Sequence, residues 1–136
     1  MGESPIFVPG GLIPRGRFWK FLGGERVREK DVERKLKKRV ESMGCKCLKF
    51  ESPGFTGVPD RLILLPGGRV AFAELKAPGK KERPRQVWVQ KELRDLGFTV
   101  FSTVDSDEKI AEVVKWCGHE AEKARIMTAV REGVSE

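Results

Sequence analysis

Nowhere does this chain carry a run of about 18 apolar residues, so no membrane span is expected. Its first residues, M-G-E-S-P-I-F-V-P-G-G, lack a charged segment followed by a long apolar stretch, and do not read as a secretory signal. Cysteine is scarce. Three residues, Cys45, Cys47 and Cys117, cannot complete a disulfide framework. A zinc site built from them and the single histidine, His119, would use a Cys-x-Cys spacing unlike the usual structural pairs. Buried thiols in a reducing cytoplasm are the plainer reading. No internal repeat or low-complexity tract is visible. What remains is a chain of 136 residues, one domain long enough for a real core.

Charge is what the sequence has in quantity. Charged residues make up 35% of the chain, and the net charge is +7. Residues 25–50 hold ten Lys/Arg against five Asp/Glu, and residues 76–94 hold seven against two. Each segment is therefore +5, whereas residues 105–136 are net −3. A solvated helix face explains many such runs. The alternative is a phosphate-binding surface.

Between the two basic segments lies V-P-D-R-L-I-L-L-P-G-G-R-V-A-F-A-E-L-K, residues 58–76. Two apolar runs flank a Pro-Gly-Gly turn, which predicts a hairpin. Asp60 ends one run, and Glu74 and Lys76 end the other. Strand side chains alternate, so Glu74 and Lys76 share a face. Asp60 meets Glu74 only if paired residue numbers sum to an even value. A two-residue turn at Gly67-Gly68 gives an odd sum and sends Asp60 to the wrong face. A shared site therefore requires a three- or five-residue loop, or a bulge, with glycines supplying positive φ. Two carboxylates and an ammonium at a sheet end would need compensation, and a divalent cation with oxygen ligands supplies it. The bland alternatives are a solvated Glu-x-Lys pair and a turn aspartate.

The remaining pattern places elements around this hairpin. Val32, Leu36, Val40 and Met43 predict a helix over 29–43, ended by Gly44. Cys45 to Phe50 reads as a strand with Leu48 and Phe50 on one face. After a basic loop, Pro84 opens a helix with Val89, Leu93 and Leu96 inward and Gly97 as its stop. Residues 98–104 read as a fourth strand. Asp105 and Glu108 have the spacing of a capping pair for a helix to about Cys117. Gly118 is expected to break that helix before a last one over 119–130. The expectation is an irregular arm over 1–24, a core over 25–117, and a C-terminal helix and tail over 118–136. A strand–helix–strand segment makes a right-handed parallel crossover, so an α/β fold with a mixed central sheet flanked by helices follows.

Over residues 28–104 the chain resembles the VRR-Nuc family of the PD-(D/E)XK nuclease superfamily. The likeness rests on Glu33, Gly57-Val58-Pro59-Asp60, Glu74-Leu75-Lys76-Ala77-Pro78-Gly79, and Pro84-Arg85-Gln86. It implies a restriction-endonuclease-like αβββαβ core with an extra C-terminal helix, and an Mg²⁺- or Mn²⁺-dependent endodeoxyribonuclease. Asp60, Glu74 and the Leu75 backbone carbonyl would hold the metal, with Glu33 a ligand directly or through water. Lys76 would position the attacking water or offset charge at the phosphate. Gln86 would orient a metal-bound water or a phosphate oxygen. Arg34, Lys37, Lys38, Lys80, Lys81, Arg83 and Arg85 are the expected DNA contacts. Compact family members from phages and bacteria look like Holliday-junction resolvases, homodimers acting on branched DNA in the bacterial or infected-host cytoplasm. No membrane and no small-molecule cofactor enters this reading. A duplex or nicking restriction-like enzyme, or a non-catalytic DNA-binding subunit, are the competing readings.

Overall fold

A computed structural model of the chain describes residues 6–8, 11–13 and 28–133. Strands β1 (Ile6–Val8) and β2 (Gly11–Ile13) pair antiparallel as a small hairpin of their own. That stretch of the expected irregular arm is thus ordered. Phe18, Trp19 and Phe21, and the last three residues of the tail, lie outside the described residues.

The main body runs α1 (Glu29–Glu41), β3 (Lys46–Lys49), β4 (Arg61–Leu65), β5 (Arg69–Leu75), α2 (Pro84–Asp95), β6 (Thr99–Val104) and α3 (Asp107–Arg131). Its sheet has the order β3-β4-β5-β6. The first three strands are antiparallel, and β6 joins β5 in parallel through the α2 crossover. This is the mixed α/β architecture that the sequence pattern predicts.

The two sheet faces are divided by alternation. On one face Cys47, Ile63, Leu65, Ala71, Ala73 and Leu75 pack under Val32, Leu36 and Val40 of α1 and Ile110, Val113 and Cys117 of α3. On the other, Phe72 meets Phe50 and Phe98 edge to face, with ring centroids 5.7 and 5.4 Å away. Leu48 shares the Phe50 face and stays exposed, so Cys47 is the strand's contribution to the main core. Cys45, Cys47 and Cys117 are all buried, free thiols of that core. Burial pushes Cys47 up to about 11 and Cys117 up to about 12. His119 is exposed and does not join them.

Three expectations need correction. Leu96 is 74% exposed because α2 ends before it, and the buried Gln90 lies beside Val89 instead. The cap of α3 is Ser106, whose hydroxyl accepts from the Lys109 N–H at 3.3 Å; Asp105 is not the cap. Finally, α3 runs unbroken through Gly118, so the division expected between 117 and 118 falls inside one helix. A Cβ at 118 would stand 3.0 Å from the Met43 side chain. This glycine marks where the C-terminal end of α1 comes close to α3, and does not end the helix.

Candidate active site

Leu65 pairs with Arg69 across a loop of three residues, Pro66-Gly67-Gly68. Both glycines take positive φ, 84° and 76°. The register is even-sum throughout, from Leu65↔Arg69 to Arg61↔Ala73. Continued one step, it sets Asp60 opposite Glu74. Asp60 Oδ2 accepts a hydrogen bond from the Leu75 N–H at 3.0 Å, which fixes the carboxylate at the strand end.

On the other side of β5 the ladder slips. Ala73 pairs with Phe101, but Leu75 pairs with Val104, so Ser102 and Thr103 together face the position of Glu74. Thr103 sits at φ 48°, rare for a β-branched residue. Glu82 holds it there, accepting from the Thr103 N–H at 2.7 Å and from Oγ1 at 2.9 Å. A bulge bends a strand and re-aims its neighbours. Pairing resumes where the Lys76 N–H donates to the Val104 carbonyl at 3.1 Å.

Glu74 is 1% exposed. Its Oε1 accepts from Gln86 Nε2 at 3.0 Å and lies 3.4 Å from Lys76 Nζ. Gln86 is itself oriented, because its Oε1 accepts from the Arg83 N–H at 2.8 Å at the start of α2. The other Glu74 oxygen, Oε2, is buried without a hydrogen-bond partner. Burial, and then the adjacent Asp60 carboxylate, push Glu74 up from 4.5 to about 7, against the pull of Lys76. A buried oxygen with no donor is costly. Together with Asp60 it forms an all-oxygen donor set, the chemistry that suits a hard divalent cation. The residues present therefore fit Mg²⁺ or Mn²⁺.

No protein-family model matches the chain. A phage protein named "Putative nuclease p44", from Acyrthosiphon pisum secondary endosymbiont phage 1, is 43% identical over 82 residues. The match spans 60% of this chain and 87% of that protein. A solved structure described as "VRR_NUC domain" superposes with a TM-score of 0.59 at 30% identity, over 64% of this chain and 94% of that one. The chain belongs to the VRR-Nuc family.

In this VRR-Nuc chain Asp60, Glu74, Lys76 and Gln86 are brought together, with Leu75 between them. Glu33 is not part of that group. It is ion-paired with Arg61, a guanidinium buried on the α1 side of the sheet. Among the described residues no three His, Cys, Asp or Glu side chains cluster as a metal-binding group. Arg34, Lys37, Lys38, Lys80, Lys81, Arg83 and Arg85 are all exposed. Sequence reasoning missed Arg61 and Glu82. Both act through partners far away in the chain, and neither belongs to a periodic pattern that could have flagged it.

Proposed function

We propose that this VRR-Nuc protein is a metal-dependent DNA endonuclease, selective for branched DNA and resolvase-like, that acts as a homodimer. The observation that carries the nuclease reading is Glu74, buried beside Asp60 with one oxygen held by Gln86 and Lys76 and the other free. Asp60, Glu74 and the Leu75 carbonyl would hold Mg²⁺ or Mn²⁺. Such a cation stabilises charge on phosphate oxygens and lowers the pKa of water.

The chain's own residues set up the rest. Gln86 keeps Glu74 oriented and is itself locked to the first turn of α2. Lys76, 16% exposed, stands at the open side of the pair and offsets negative charge where the phosphate would lie. Glu33, paired with Arg61 on the α1 side of the sheet, is left out of this set. The exposed cations of the 77–85 loop and of α1 attract the DNA backbone.

The homodimer rests on α3. Ile126, Met127 and Val130 are 52%, 60% and 68% exposed and share one face of the helix. Trp116, on the same helix, packs edge to face on Phe101 at 5.7 Å and belongs to the monomer's own core. Two cuts are needed to resolve a junction, and a two-fold dimer presents two sites.

The test is a cleavage assay with Mg²⁺ on linear, flap and four-way DNA of matched sequence. Glu74→Ala should abolish cutting and keep binding. Full cutting by that variant, or by the wild type in EDTA, refutes the catalytic reading. Equal cutting of linear and four-way DNA removes branch selectivity alone. A mass near 15.3 kDa by light scattering at micromolar concentration defeats the dimer.

A further inference from the structure

Beside the carboxylate pair lies a cleft of about 540 Å³ between the 50–58 loop and the start of α2. Gln86, which touches Glu74, lines its inner end. Phe55 is on its wall, 42% exposed, and Trp88, 45% exposed, lies 6.3 Å from Phe55 between ring centroids. The Arg85 guanidinium lies over one face of each ring, its carbon 4.8 Å from the Phe55 centroid and 4.6 Å from that of Trp88. Its Nε donates to the Thr56 carbonyl at 3.1 Å. No carboxylate pairs with Arg85 among the described residues. Glu51, the acidic residue lining the cleft, is already paired with Lys49 at 3.2 Å.

The unit is closely packed as well as exposed. Gly57 has φ 89°, and a Cβ there would stand 2.8 Å from the Arg85 side chain and 3.2 Å from that of Val89. The loop carrying Phe55 is therefore pressed onto the helix carrying Arg85 and Trp88. A planar cation is held at fixed orientation, with its terminal nitrogens unpaired and two ring surfaces beside it. Guanidinium in this state is a phosphate anchor. Exposed rings next to it match the way single-stranded nucleic acid is held, by bases stacking on aromatic side chains along a cationic track. A fully paired duplex keeps its base faces inside the stack and cannot use those rings.

We propose that Phe55 and Trp88 form a stacking platform for an unpaired base next to the cleaved bond, with Arg85 gripping that nucleotide's phosphate. This inference rests on the nuclease reading and narrows it. The substrate would be DNA with at least one unstacked base at the cut, whether a branch point, a gap or a flap.

The test uses the full chain and two duplexes of equal length and sequence. One is fully paired, and the other carries two unpaired nucleotides, one of them 2-aminopurine. Binding is read by anisotropy without divalent metal, and stacking by quenching of the 2-aminopurine. The wild type should bind the unpaired substrate more tightly and quench it. The double variant Phe55→Ala, Trp88→Ala should lose about tenfold on that substrate, the scale of one stacked base, and stay within about twofold on the paired one. The single variant Trp88→Phe should keep most of the preference. Equal losses on both substrates, or an unchanged preference in the double variant, overturn the platform. A drop in oligomer mass for the double variant also overturns it, since the rings would then be an interface. If the double variant fails to fold, Phe55→Ala alone, on an exposed loop position, carries the same test. Wild-type cutting in Mg²⁺ is measured in parallel. Its absence on every DNA defeats the nuclease reading, whereas its presence with an unchanged preference defeats the platform alone.

Discussion

Glu74 is held more easily as an acid than as a carboxylate, which has a consequence for stability. Its folded value near 7 lies above its ordinary 4.5, so between those values the folded state binds more protons than the unfolded state. Stability from this group is complete below about pH 4.5 and is lost as pH rises through 7. The metal-free protein should therefore melt at a lower temperature at pH 8 than at pH 5.5. Glu74→Gln should flatten that trend and raise the melting temperature at pH 8 by about 5 °C, because its amide keeps an acceptor for Gln86 and offers Asp60 a donor. Thermal melts of both proteins in EDTA across that range decide it. A wild-type melting temperature that rises from pH 5.5 to 8 contradicts the assignment. Asp60, Glu74 and Lys76 were legible in the sequence because a hairpin needs only alternation and a turn to align its ends. Arg61 was not, since its pairing with Glu33 depends on how α1 crosses the sheet.

At the level of elements, the three-residue turn does two jobs. It sets the even-sum register, and it rests on α3. A Cβ on Gly67 would come within 2.7 Å of the Ala124 Cβ, and φ there is 84°. Arg69, just past the turn, pairs with the buried Glu120 of α3 at 3.0 Å. Gly67→Ala should cost about 1–3 kcal/mol through the strained backbone and the clash together. Gly68→Ala, whose Cβ would meet nothing within 4 Å, should cost less. Urea melts of the two variants give the comparison, and a larger loss for Gly68→Ala would contradict it. The need for an odd-length loop was readable from residue parity. The bulge at Ser102–Thr103 was not, because nothing in T-V-F-S-T-V departs from ordinary strand composition. The continuity of α3 was missed for a related reason. A glycine in a helical pattern looks like a stop until the side chain it must clear is known.

On the scale of the whole molecule, exposed cations gather on the loop that leads from the carboxylate pair, and the thiols lie in the core. The exposed cations of the 77–85 loop should carry much of the DNA affinity. Replacing Lys80, Lys81 and Arg83 together by Ala should weaken binding and reduce the salt slope by about 0.9 for each duplex phosphate that is no longer neutralised. An unchanged slope in a salt titration means this loop does not touch the backbone. The net charge and its two basic segments were visible in composition. The exposed face of Ile126, Met127 and Val130 is set apart by packing, since Trp116 of the same helix turns inward onto Phe101. The three core cysteines offer a further use. With Cys45, Cys47 and Cys117 all in one cluster and no more than 4% exposed, none can react with a thiol reagent until the protein opens. They are a built-in clock for opening. Labelling should be slow and take all three thiols in a single phase. Added Mg²⁺ should slow it in the wild type and leave Glu74→Ala unchanged, which would register cation binding by the folded chain without any DNA in the tube.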